Sequence, residues 1–225
     1  MASPSRPDSP APGEVRIPQQ ARSRRTRARI LDAATRAFEE LGYDDATTAA
    51  IAQLAGVAVG SVYSYFADKR SILLEILQET LDQMRREIIA GLAPELWRQG
   101  DLRLKVRALV ETALKTRRFQ PGLQRILWER YFKDPLVRDA IEAIERPLID
   151  AIEQLLEVLR EEGLSDVADV SSASFVIHTS VEWIAARLVL GEAPQEKVDA
   201  AVDTTSAMIS RLILSEAPGF SQGLT

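Results

Sequence analysis

Residues 42–70, GYDDATTAAIAQLAGVAVGSVYSYFADKR, fit two short helices and a glycine-containing turn into one compact stretch, with an arginine-rich segment just before it. A turn that tight forces the two helices to cross steeply and leaves the second one short and exposed. That is the sequence shape of a helix-turn-helix, whose second helix enters the major groove of duplex DNA. The rest of the chain reads as helices that pack, and none of it carries comparably specific chemistry.

Apolar residues recur at three- and four-residue steps almost throughout. Ile30, Ala34, Ala37, Phe38 and Leu41 give one face that ends at Gly42. Thr47 is a good N-cap for a helix carrying Ile51, Leu54 and Ala55, which ends at Gly56. A third short helix is expected from about Val59 to Tyr65. Asp68 then caps a longer one with Leu73, Ile76, Leu77, Leu81, Met84 and Ile88 on its apolar side. Beyond Pro94 the pattern predicts helices over Leu102–Thr116, Gly122–Phe132, a long one from Val137 to Leu159 with a kink at Pro147, and a last pair, Asp169–Leu190 and Pro194–Leu214. No window alternates with period two, so an all-α fold without a sheet is expected. Pro4, Pro7, Pro10, Pro12 and Pro18 make residues 1–20 a disordered tail, and residues 217–225 a flexible end.

Composition narrows the chemistry. There is no cysteine and one histidine, so disulfides and thiolate metal sites are excluded. No uninterrupted apolar run approaches a membrane span, and the first twenty residues lack the apolar centre of a secretory signal. A cytoplasmic protein is expected. The net charge of −5 divides unevenly: residues 1–70 hold ten basic and eight acidic side chains, the remainder eighteen and twenty-five. An acidic remainder confines contact with phosphates to one end, where Arg22, Arg24, Arg25, Arg27 and Arg29 supply a local basic footprint.

Ile30-Leu31-Asp32-Ala33-Ala34, Phe38, Gly42-Tyr43, Thr47-Thr48, Ile51-Ala52, Ala55-Gly56-Val57, Tyr63-Ser64-Tyr65-Phe66, Lys69 and Leu73 together resemble the TetR family of bacterial transcriptional regulators over residues 24–77. The resemblance implies a three-helix DNA-binding domain, residues 21–68, joined to a helical regulatory and dimerisation domain, residues 69–216. It implies backbone contacts from Thr47, Thr48, Tyr63, Tyr65 and Lys69. Threonine hydroxyls at a helix start, phenol hydroxyls and an ammonium all suit phosphate oxygens. Base reading falls to Val59, Gly60, Ser61 and Ser64. None of these makes the bidentate contacts that Arg, Asn or Gln make to guanine or adenine. Sequence preference is therefore expected to lean on DNA shape and on an arm carrying Arg22, Arg24, Arg25 and Arg27 in a minor groove. Two departures stand out. Ala58 replaces a capping Ser or Thr, and Ala46 and Ala49 replace residues that are often polar in the family. Taken one at a time, Tyr63, Tyr65 and above all Phe66 read better as core aromatics and the arginines as a solvated face; together with the turn, at the family's spacing, DNA binding is favoured.

In the second domain Trp97, Phe119, Trp128, Tyr131, Phe132, Phe175, His178 and Trp183 are core or pocket residues. Glu129 sits in an aromatic stretch, and His178 and Glu182 lie four apart on one helix face. Trp97, Trp128, Glu129, Tyr131, Phe132, His178, Glu182 and Trp183 are thus candidate ligand contacts for a small apolar or aromatic inducer. No metal site and no cofactor is expected, for want of HExxH- or ExxH-type spacing. The small and apolar faces of the last two helices are expected to pair with a symmetry mate, as a near-palindromic operator requires. The chain reads as a ligand-released dimeric repressor. An architectural DNA-binding protein without a ligand is the alternative, and a helical enzyme a weaker one, since His178 has no evident Ser and Asp partners.

Overall fold

The computed structural model describes residues 19–115 and 121–215, apart from the side chains of Gln19, Gln83 and Met84. The expectations for a disordered tail up to residue 18 and for a flexible C-terminus, the place of Phe119 and the packing of Met84 fall outside the described residues; Gln19 and Gln20, the last two residues of that expected tail, are helical. Within them the chain is helical, with no strand: α1 (Gln19–Asp45), α2 (Thr48–Ala55), α3 (Val59–Tyr63), α4 (Lys69–Gly91), a 3-10 turn (Pro94–Trp97), α5 (Leu102–Lys115), α6 (Pro121–Lys133), α7 (Pro135–Glu161), α8 (Val170–Leu190) and α9 (Gln195–Ile213). Pro147 sits inside α7, which runs on as one helix to Glu161.

Local chemistry fixes most of the boundaries. Thr47 Oγ1 accepts from the Ala50 amide, capping α2. Gly56 ends α2 in the left-handed region, at φ 62° and ψ 43°, where a side chain would be strained. Asp68 and Ser71 bond each other's backbone amides at the start of α4 in a reciprocal capping box. Asp134 and Asp169 cap α7 and α8. Gly42, at φ 79°, interrupts the end of α1 and turns the chain toward α2.

Two cores result. The first joins Ile30, Ala34, Phe38, Ile51, Val62, Phe66, Ile72, Leu73 and Leu77 to Leu123, Ile126 and Leu127 of α6 and to Val137 and Ile141 of α7. The second joins Ile88 and Trp97 to α5, the C-terminal half of α7, α8 and α9. α4 and α7 run through both cores, so the two parts expected to meet at residue 68 share helices and are not beads on a linker. Leu41 and Leu54, expected in the core, are instead 49% and 44% exposed. In α2 the buried positions are Ile51, Ala52 and Ala55, an arc that leaves Leu54 on the outside. Ala46, which stands where the family often has a polar residue, is fully buried after the Gly42 turn.

α8 is long and apolar enough to cross a membrane by length and composition, a looser measure than the uninterrupted run that the sequence lacks. Phe175, Val176 and Trp183 on α8, and Met208 and Leu212 on α9, are all at least 40% exposed.

Candidate nucleic-acid interface and effector cavity

The first site is the outer surface of α2 and α3. Val59, Gly60, Tyr63 and Ser64 are exposed, with Ser61 partly so. A Cβ added at Gly60 would meet nothing within 4 Å, so a flat approach to this end of α3 is open. Thr48 Oγ1 and the Tyr63 hydroxyl are hydrogen-bonded at 3.0 Å, which brings two expected phosphate contacts from different helices to one point. Ser64 Oγ donates back to the Gly60 carbonyl at 3.0 Å, leaving its lone pairs for a partner. Tyr65 is partly buried against the first core. Ala58 is extended, as an N-cap should be, but makes no side-chain bond to α3.

The basic residues sort into two groups. Arg22, Arg24 and Arg25 are exposed on the first turns of α1. The expected arm is thus helical from Gln19 onward, because residues 19–29 contain no proline or glycine and are mostly good helix formers. Arg27, expected in a groove, also makes contacts within the fold. Its guanidinium pairs with Glu75 and lies 5.5 Å from the Phe66 ring centroid, docking α1 on α4. Arg29 donates to the carbonyls of Ala55 and Gly56, satisfying the C-terminal end of α2. Lys69, expected as a free point charge, donates to the carbonyls of Tyr43 and Asp44 and lies over the Tyr43 ring. Burial lowers its pKa. Two of its three donors are taken up in this way.

The second site is a partly open cavity of about 190 Å³ lined by α4 to α9. Leu81 and Ile88 of α4, Val110 of α5, Leu127 of α6, Leu148 and Ile152 of α7, Ile177 of α8 and Ile209 of α9 form apolar walls, with Gln124, His178 and Glu182 as polar points. Of the eight residues expected to meet a ligand, Trp97, His178 and Glu182 line it. Trp97 shows only its ring, since Nε1 donates to the Gly91 carbonyl at 2.9 Å. The others lie elsewhere. Trp128 and Trp183 stack at 4.4 Å and 9°, with Phe132 and Tyr131 beside Trp128. Glu129 is held by Arg130 and Lys133, both at 2.8 Å. Trp128 and Tyr131 of the expected aromatic stretch pack against the first core, Phe132 is exposed, and Trp128 meets Trp183 of α8 rather than the cavity.

A polar corner adjoins the cavity that spacing alone had not shown. Glu145 of α7 meets His178 and Glu182 of α8, with one potential ligand atom from each within 4.8 Å of the others. Spacing alone puts Glu142, Glu145, Asp150 and Glu153 on a solvated helix face; Glu145 is partly buried instead, because α7 and α8 cross at its position. Burial, and then the charges of Glu182 and Glu142, push Glu145 up to about 9. Burial also raises Glu182 and lowers His178. Tyr131 donates to Glu142 at 3.0 Å at the edge of this corner.

An exposed helix-turn-helix on a shared core, with a second helical part built around a cavity, defines a DNA-binding regulator. Residues 30–76 match the model for bacterial regulatory proteins of the tetR family. An uncharacterised HTH-type transcriptional regulator of Bacillus subtilis, YhgD, is 25% identical over 152 residues, 66% of this chain and 76% of its own length. The HTH-type transcriptional regulator BetI of Escherichia coli is 34% identical over 84 residues, 37% of this chain and only 42% of BetI. A solved structure described as a TetR-family transcriptional regulator from Mesorhizobium loti shares the fold at TM-score 0.71 and 20% identity, covering 86% of this chain and 99% of that one. Over residues 30–76 the chain thus matches the DNA-binding segment of the tetR family, and beyond it the likeness to solved TetR-family regulators is one of fold.

Proposed function

We propose that the chain is a cytoplasmic repressor that binds a near-palindromic operator as a homodimer and is released when a compact, largely apolar organic effector enters the cavity. One observation carries this reading: α4 and α6 line the cavity with Leu81, Ile88, Gln124 and Leu127 and also build the core of the DNA-binding part. Whatever repacks the cavity therefore acts on the helices that hold α1 to α3. An effector shifts DNA affinity only as far as its affinities for the two arrangements differ. The cavity is smaller than the roughly 300–1,000 Å³ usual for drug-sized ligands, which favours a compact molecule. On the DNA side, Thr47, Thr48, Tyr63, Tyr65 and Lys69 are assigned to phosphates, and Val59, Gly60, Ser61 and Ser64 to bases. Arg22, Arg24 and Arg25 strengthen binding through their charge.

The test combines a thermal-shift screen of small organic molecules with operator binding. A hit should raise the melting temperature and weaken operator binding by at least about tenfold, a coupling of about 1.4 kcal/mol. Val110→Phe, which fills the cavity, should keep DNA binding and lose the response. A hit that stabilises the protein without moving DNA affinity would break the proposed coupling.

A further inference from the structure

We propose that Glu145, His178 and Glu182 form a binding site for a divalent first-row transition-metal ion at the polar corner of the cavity. Two helices supply the three groups, α7 one and α8 two, the latter one helical turn apart on the same face. Their candidate ligand atoms already lie within 4.8 Å of one another. Bonds of about 2.0–2.2 Å to zinc would draw them to about 3.3 Å apart, a contraction that rotation about the glutamate side-chain bonds supplies.

Charge argues in the same direction. The Glu145 and Glu182 carboxyl groups face and bond each other in a partly buried corner, and no ion pair to a Lys or Arg is found for either among the described residues. Buried carboxylates without a counter-charge are costly. A dication balances both, and the imidazole adds a neutral donor. A mixed set of one nitrogen and two oxygens suits zinc, cobalt or manganese better than magnesium, which prefers oxygen and keeps its waters. His178 and Glu182 line the cavity, so the open coordination position faces that space and can take water or an oxygen of a second ligand. The site does not rest on the effector reading above.

The experiment uses the full chain, purified without a polyhistidine tag and stripped with a chelator, free of DNA and organic ligands. Zn²⁺ is titrated calorimetrically and Co²⁺ by visible absorption. One ion per chain should bind with micromolar affinity or tighter, and Co²⁺ should give the intense bands of a four- or five-coordinate site. Glu145→Gln, Glu182→Gln and His178→Gln should each weaken binding at least about 100-fold, since loss of a mere outer-shell partner costs about 10–100-fold. His178 is the only histidine in the chain, so its imidazole signals need no assignment and should shift on Zn²⁺ addition in the unmodified protein. That readout stands even if a variant folds poorly. Absence of Zn²⁺ binding at millimolar metal, imidazole signals that stay in place, or affinity unmoved by all three substitutions would each overturn the site. None of these results touches the release of DNA by an organic effector, which is measured separately.

Discussion

Thr48 Oγ1 and the Tyr63 hydroxyl sit 3.0 Å apart and tie the exposed start of α2 to the end of α3. Each hydroxyl can bond the other and still offer a lone pair or a proton to a phosphate, so the pair should act as one unit. Thr48→Ala and Tyr63→Phe are each expected to weaken operator binding by about 1 kcal/mol, several-fold in affinity. The double variant should lose less than the sum, because either change already frees the remaining hydroxyl. Fluorescence anisotropy on one operator duplex measures all four proteins. Strictly additive losses would mean that the two hydroxyls act independently.

Lys69 joins fold and interface differently. Two of its donors hold the carbonyls of Tyr43 and Asp44 at the turn after Gly42, and one remains. Lys69→Met should therefore lower stability by about 1.5–3 kcal/mol, the range for hydrogen bonds to a charged group. It should also flatten the salt dependence of operator binding by about 0.9, one phosphate contact. An unchanged melting temperature would remove the clamp, and an unchanged slope would remove the phosphate contact.

The parts legible in the sequence were those set by neighbours along the chain. Thr47, Gly56, Asp68 and Asp169 mark helix ends because capping is decided within four residues. His178 and Glu182 were paired for the same reason. What depends on how helices cross was not legible. Glu145 meets His178 only because α7 lies against α8, and Trp128 misses the cavity because α6 presents it to Trp183. Arg27 and Arg29 read as free charges until their partners Glu75, Ala55 and Gly56 came within reach from distant positions. No count of charges along a segment distinguishes a solvated arginine from one that holds two helices together.

Ala58 leaves an unfilled place at the start of the DNA-facing helix. Its backbone is already extended, at φ −69° and ψ 148°, and no side chain caps α3. Ala58→Ser should supply the missing acceptor and stabilise the protein by about 0.5–1 kcal/mol, the usual worth of such a cap. Urea unfolding of the two proteins decides it. Equal midpoints would mean that the end of α3 is satisfied by water alone.

Glu39 is where the two parts of the molecule meet. Its Oε1 accepts from the Leu123 amide at 2.9 Å, placing a carboxylate on the N-terminal end of α6, a favourable position for negative charge. A Cβ at Gly122 would stand 2.3 Å from Glu39 Oε2, so only glycine fits there without moving this side chain. Both Glu39→Ala and Gly122→Ala should loosen α6 from α1, costing about 1–2 kcal/mol. If α6 carries the effector signal, both should also reduce the effector's influence on operator affinity while leaving its binding to the cavity nearly intact. Calorimetric effector binding beside operator titrations separates the two, and an undiminished response in both variants would take α6 out of the coupling route.

Phe175 on α8 is 61% exposed, and with Val176, Trp183, Met208 and Leu212 it leaves bulky apolar groups open on the last two helices. Scattered exposed apolar side chains are ordinary, but these five are drawn from two consecutive helices packed on each other, α8 and α9. A second copy of the chain would cover them by a two-fold axis and would set the spacing of the two α3 helices on an operator. Phe175→Glu combined with Met208→Glu places two like charges on each side of that surface, four where the copies meet. The variant should sediment as a monomer at micromolar concentration, with helix content unchanged by circular dichroism and operator affinity reduced by at least about 100-fold, because a single half-site forfeits the joint binding of the pair. The unmodified protein should sediment as a dimer under the same conditions. A monomeric parent, or a variant that remains dimeric, would show that α8 and α9 are not the contact between copies.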